Sequence, residues 1–218
     1  MTRRSPHRVG DVMTRTVVAV GLDARFKEIV TAIDQWQVAA VPVLEGEGRV
    51  VGVVSEADLL PKEELRGEEA TMIGQSERLT DYAKAGALTA RDLMSSPAVT
   101  VPADATLPEA ARLMARHRIK RLPVVDGQGV LKGIVSRADL LKVFLRTDEE
   151  IADEVRQEVV DRLFPVSRRS IGVDVTEGRV AITGTVRDAA LIPVAERLAR
   201  AVEGVVDATC HLDAPGEA

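Results

Sequence analysis

The chain has 218 residues, more than the roughly 100 to 150 of a common single domain, so at least two compact units are expected. Residues are 45% hydrophobic and 29% charged but only 2% aromatic, so the apolar share is Val, Ala, Leu and Ile, a globular composition that favours strands covered by helices. A formal net charge of -5 excludes a generic nucleic-acid binder, and a single cysteine, Cys210, excludes an intrachain disulfide or a cysteine-rich metal site. At the N-terminus, Met1 to Asp11 is basic with no apolar run behind it, and stretches such as Val50 to Val54 fall far short of a membrane span, so the cytoplasm is the expected location.

Further along, Asp11-Val12-Met13 returns as Asp92-Leu93-Met94, an offset of 81 residues (92 − 11). Without a gap, the same offset carries Asp23 to Asp104, Pro42 to Pro123, Gly46 to Gly127, Gly52 to Gly133, Ser55 to Ser136 and Asp58 to Asp139. An ordered series of this length is an internal duplication. In the second copy, Val99-Thr100-Val101 reads as a short strand, and Ala103 to His117 as an amphipathic helix with Leu107, Ala110, Ala111 and Met114 on one face. Leu122 to Asp126 and Val130 to Ser136 read as strands around Gly127-Gln128-Gly129, and Arg137 to Leu145 resumes helical spacing. Each unit is therefore β-α-β-β-α. Gly127, Gly129 and Gly133 mimic a phosphate loop, but they fall between two strands rather than at a strand-to-helix junction, so they read as a hairpin.

Each copy ends its last strand with Gly-h-h-Ser-x-x-Asp: Gly52-Val53-Val54-Ser55-Glu56-Ala57-Asp58, then Gly133-Ile134-Val135-Ser136-Arg137-Ala138-Asp139. The pattern fits a capping box at a helix start. It equally fits a ligand site, where the serine and free helix amides receive phosphate and the carboxylate takes two vicinal ribose hydroxyls. Taken with Asp-(Val/Leu)-Met and (Val/Leu)-Pro-Val in the same order twice, these residues resemble CBS domains, and the tandem over about residues 9–145 resembles a Bateman module. The resemblance implies a pseudo-twofold pair with two clefts for AMP, ADP, ATP or a related adenosyl ligand, no required cofactor, and a homodimer. It also implies that one cleft joins Thr16, Val17 and Val18 to Ser136 and Asp139, and that the other joins Ala98 and Val99 to Ser55 and Asp58.

Charge separates the two clefts. Lys120 and Arg121 precede Pro123 where Ala39 and Ala40 precede Pro42, and Arg137 stands where the first copy has Glu56, so the cleft of Ser136 and Asp139 is expected to hold phosphate more tightly. Arg112 and Arg116 read as a solvated cationic face. Residues 61–89, rich in Glu, Lys, Arg and Gly, read as a linker between the repeats at 9–60 and 90–145.

Beyond Arg146 the periodicity changes. Ile151, Val155, Val159 and Leu163 step by four on a helix; Ile171, Val173 and Val175 alternate before Glu177-Gly178, and Val180, Ile182, Gly184 and Val186 alternate after it. Leu191 to Val202 is helical, and Val206, Ala208, Cys210 and Leu212 alternate, giving α-β-β-α-β over residues 148–213. Gly178 to Val186 and Val202-Glu203-Gly204-Val205 resemble a BON domain, which implies a phospholipid or a protein partner. The whole is a mixed α+β and α/β architecture.

No Gly-x-Ser-x-Gly, Walker loop or His-Glu-x-x-His occurs, and His7, His117 and His211 lack ligand-spaced acids or cysteines, so a non-catalytic sensor is expected rather than an enzyme. The alternative is a protein or phospholipid tether, with the repeats serving only as a dimer platform.

Overall fold

The computed structural model describes residues 7–64 and 83–214, so most of the expected linker lies outside the described residues. The chain divides into two compact units at Leu140/Leu141, each described by itself.

The first unit opens with α1 (Val9–Val12), followed by β1 (Val20–Gly21), α2 (Phe26–Trp36), β2 (Ala40–Glu45), β3 (Arg49–Ser55), α3 (Glu56–Leu59) and α4 (Pro61–Glu64). Its second half repeats the series as α5 (Ala90–Leu93), β4 (Val101–Pro102), α6 (Leu107–Arg116), β5 (Arg121–Val125), β6 (Leu131–Ser136) and α7 (Arg137–Leu140). Each half forms a three-stranded sheet, with an antiparallel hairpin and one short parallel strand.

Helix α6 shows why these residues fold as they do. Thr106 precedes it, and its backbone N–H and hydroxyl donate to the Glu109 carboxylate at 2.8 and 2.9 Å, which holds that carboxyl below the usual range. Leu107, Ala110 and Met114 form its buried face. Its end is a Schellman turn, with Ile119 N–H on the Met114 carbonyl, Arg118 N–H on the Ala115 carbonyl, and Arg118 left-handed at φ 55°. Gln37 ends α2 in the same way at φ 50°.

Two expectations need correction. The first strand of the second repeat is Val101–Pro102 rather than Val99 to Val101, because the parallel register on β5 pairs only Val101 with Val124 and Pro102 with Val125. The helix expected from Arg137 to Leu145 stops at Leu140 and continues as a 3-10 turn, Leu141–Leu145. Leu141, Phe144 and Leu145 are exposed there, so no buried apolar stripe sustains an α-helix.

The two halves exchange their leading segments. Val9 and Gly10 N–H groups bond to the Ala105 and Ala103 carbonyls of the second repeat, and Ala90 and Arg91 N–H groups bond to Ala24 and Leu22 of the first. Thr14 bridges to Ile134 and Ser95 to Val53, pairs related by the repeat offset of 81 (95 − 14 and 134 − 53). The bridge between Arg49 and Val130 maps onto itself under the same offset (130 − 49), so the pseudo-twofold axis passes there. Accordingly Ala87, Ala90 and Leu93 are buried in one core with Ile29, Val41, Val43 and Val54 of the first repeat.

The second unit starts with α8 (Asp148–Val155), which runs on through a π stretch, Arg156–Val160, and a last turn, Asp161–Leu163. Apolar residues spaced by four drift around an α-helix of about 3.6 residues per turn, and the wider π stretch restores their phase. Ile151, Val155 and Val159 thus share one buried core. Strands β7 (Ile171–Thr176) and β8 (Arg179–Thr185) are antiparallel; α9 (Ile192–Arg200) then leads to β9 (Asp207–Asp213), parallel to β8. The order is α-β-β-α-β, with the last strand starting one residue after Val206, which is exposed. The two-residue turn Glu177-Gly178 has both φ angles positive, 51° and 73°, as a type I′ hairpin requires. Both of its N–H groups donate to the Asp148 carboxylate, at 2.9 and 2.8 Å.

The exchange predicts an order of substitution costs. A Cβ at Gly133 would meet Met13 Sδ at 2.6 Å and the Thr14 carbonyl at 2.9 Å, whereas the three atoms nearest one at Gly52 all belong to the Met94 side chain. Urea unfolding is expected to show Gly133→Ala costing about 1–3 kcal/mol and exceeding Gly52→Ala, since backbone cannot swing aside as a methionine can. Burial pushes the Cys210 thiol up, and Glu196 adds to this. Its alkylation by iodoacetamide at pH 8 is therefore expected to be slower in the native protein than in urea, and a native rate equal to the unfolded one would contradict that assignment.

Candidate functional site

The exchange brings the stretch after α5 against the end of β3. Because Ser95 is bridged to Val53, Pro97, Ala98 and Val99 run beside Ser55 and the first turn of α3, and together they line a cavity of about 310 Å³. Ala98, Val99, Ser55 and Asp58, expected in one cleft, are thus brought together.

The serine and aspartate form a closed turn. Ser55 N–H and Oγ–H both donate to Asp58 Oδ2 at 2.8 Å. Ser136 repeats this toward Asp139 Oδ2 at 2.9 and 2.7 Å, and Asp139 N–H returns to Ser136 Oγ at 3.3 Å. The capping geometry is therefore present in both copies, with each carboxylate held at a fixed distance from its strand. Asp58 is only 7% exposed, and its Oδ1 accepts from the Lys84 ammonium. Nothing in the repeat spacing marked Lys84, which comes from the connection read as solvated linker. Lys62 from α4 also turns inward there, donating to the Ala85 and Ala87 carbonyls at 2.9 and 3.0 Å and lying 4.9 Å over the Phe26 ring.

The cations border more than the grouping in which the charge comparison put them: Arg121 pairs with Ser136 across the β5–β6 hairpin, and Arg137 N–H donates to the Lys120 carbonyl. Lys120 and Arg121, together with Arg118, line the cavity of Ser55 and Asp58, along with Ala39 and Ala40. The physical reason is the pseudo-twofold: the segments entering β2 and β5 share one central cavity, so the second repeat's cations also border the first repeat's carboxylate. Arg137, expected to favour phosphate, is exposed, and its Nε donates to the Ile119 carbonyl at 3.2 Å.

For the other grouping, the Thr14–Ile134 bridge lays the leading segment against β6, which ends in Ser136. Thr16 is exposed, Val17 is half-buried, and Val18 packs on the first repeat's core. A second groove of about 590 Å³ is lined by Arg8, Arg112 and Arg116 together with Asp104 and Glu109, so acidic groups offset its cations. Among the described residues no cluster of three His, Cys, Asp or Glu could hold a metal ion, and no helix is long and apolar enough to cross a membrane.

Comparison with known proteins agrees with this architecture. Residues 9–62 and 90–146 match the CBS domain family, and residues 147–213 match the BON domain family. An uncharacterized protein of Methanocaldococcus jannaschii is 29% identical over 153 residues, covering 63% of this chain and 90% of that protein. One from Methanopyrus kandleri is 30% identical over 154 residues, covering 69% of this chain and 71% of its own length. The crystal structure of CBSX2 in complex with AMP, a CBS-pair protein of Arabidopsis thaliana, is similar with a TM-score of 0.56 at 29% identity, over 64% of this chain and 97% of that one. With its duplicated sheets, exchanged segments and separate α-β-β-α-β unit, the chain belongs to the CBS domain family, as a tandem CBS pair followed by a BON domain.

Proposed function

We propose that the CBS pair is a non-catalytic sensor that binds an adenine nucleotide in the cleft of Ser55, Asp58, Ala98 and Val99. The observation that carries this is one cavity of about 310 Å³ holding a carboxylate, an apolar wall and Arg118, Lys120 and Arg121. That volume suits a small ligand, and few polar groups on an apolar wall are what orient one. Asp58 takes the ribose hydroxyls, Ala98 and Val99 take the base, and the three cations take the phosphate. The AMP held by CBSX2 supports an adenosyl ligand. Thr16, Val17, Val18, Ser136, Arg137 and Asp139 form the second and weaker site.

Occupancy is read out by a partner rather than spent in a reaction, and the BON domain supplies the contact to a protein or a phospholipid. The protein acts in the cytoplasm as a homodimer. Trp36, 59% exposed on α2, supports an apolar contact between copies.

Calorimetry with adenosine, AMP, ADP and ATP tests the site. Arg121→Ala is expected to weaken the phosphorylated ligands by about 1.5–3 kcal/mol and adenosine much less. Asp58→Ala should weaken all four, and more than Asp139→Ala does. Equal losses from the two aspartates, or no dependence on phosphate, would refute the assignment. Light scattering at micromolar concentration should return twice the chain mass, and a monomer with and without nucleotide would exclude the dimer.

A further inference from the structure

Among the described residues of the CBS pair Asp58 is the buried charged one, and a buried carboxylate is stable only when its lone pairs are met. Its two oxygens offer about four acceptor positions. Ser55 N–H and Oγ–H occupy two of them on Oδ2, and the Lys84 ammonium occupies a third on Oδ1. A ribose presents two vicinal hydroxyls and needs two positions, so one resident donor has to leave.

The residents are not equally mobile. The two serine donors lie within a four-residue turn that starts α3, and moving them unmakes that start. Lys84 reaches in from a different part of the chain, a helical turn at 83–86, with its side chain 17% exposed. Its ammonium sits on a flexible four-carbon stem. The backbone beside it is held independently, by Lys62 Nζ on the Ala85 and Ala87 carbonyls. The ammonium can therefore swing to water while the backbone stays in place.

We infer that Lys84 is a resident counter-ion competing with the ribose for Asp58, so that nucleotide binding in this cleft expels the Lys84 ammonium from it. The inference rests on the nucleotide reading above. It makes Lys84 a determinant of affinity and of selectivity for ligands that carry the diol. It also couples occupancy to the connection between the repeats, because the group expelled belongs to that connection.

Amine-specific labelling of the full chain, read by mass spectrometry, tests the exchange in the wild-type protein. Lys84 should react slowly in the free protein and several-fold faster with AMP present at a concentration that calorimetry shows to be saturating. With 2′,3′-dideoxyadenosine monophosphate at its own saturating concentration, labelling should stay at the free-protein rate. Lys84→Gln, which keeps a polar side chain without the charge, should tighten AMP severalfold and leave the dideoxy analogue unchanged. AMP binding with Lys84 labelling unchanged or lowered, or AMP affinity unimproved in Lys84→Gln, overturns the inference and leaves the nucleotide site standing. Absence of AMP binding in calorimetry overturns the nucleotide reading and this inference with it.

Discussion

The first unit depends on one constraint, the seating of each repeat's leading methionine over the other repeat's strand glycine. Gly52 and Gly133 are buried mid-strand, where a side chain would occupy the space taken by Met94 and Met13. Removing the Cβ lets a neighbouring segment approach the sheet closely, which is the general use of glycine inside a strand. Once Met94 is seated, Ser95 bridges to Val53, and Ala98 and Val99 follow into the cavity. Neither repeat then lines the cavity alone. The pairing also ties the two repeats into one cooperative body, because the core of the first contains Ala90 and Leu93 from the start of the second.

Electrostatic division of labour follows from the same geometry. Asp58 is drawn out of water and held from three directions, which fixes its direction and makes its remaining acceptor capacity scarce. The cations on the facing wall are treated differently: Arg118 and Lys120 stay exposed and Arg121 is half-buried. Keeping them wet avoids the large cost of burying unpaired guanidinium and ammonium groups, while leaving their charge at the edge of the cavity. A buried acceptor and solvated donors suit the two ends of a nucleotide, one neutral and one anionic.

The second unit stands on its own core and its own polar anchors. The Arg146 side chain is 7% exposed, with Glu154 at 2.7 Å and the Glu203 carbonyl at 2.7 Å. Asp148 clamps the hairpin turn to the start of α8. Gly184 and Gly204 sit at φ 131° and 90°, where a Cβ would meet backbone oxygen of Ser170 at 2.0 Å and of Val143 at 2.9 Å. The glycines that carry the family resemblance are thus the positions at which this small sheet allows no side chain.

Local patterning made the elements and the duplication legible. Period-two runs became the hairpins, the Thr106-to-Met114 spacing became α6, and Glu177-Gly178 became the turn that its left-handed backbone demands, because these features depend on neighbours within one or two turns of chain. The amino-acid sequence by itself also determined which chemical groups the cleft could draw on: Ser55, Asp58 and the basic run through Arg121. Tertiary structure alone decided how they combine. The unpaired residues before β4, the early end of α7, the reach of Lys120 and Arg121 to the Asp58 cavity as well as to Ser136, and the arrival of Lys84 all turn on contacts between segments distant in the chain. A linear offset of 81 residues relates the two copies but carries no information about which copy each leading segment packs against. That choice was made by burial: the exchanged segments fill the space above two glycines and place Val9, Ala90 and Leu93 out of water, an arrangement only the folded chain can express.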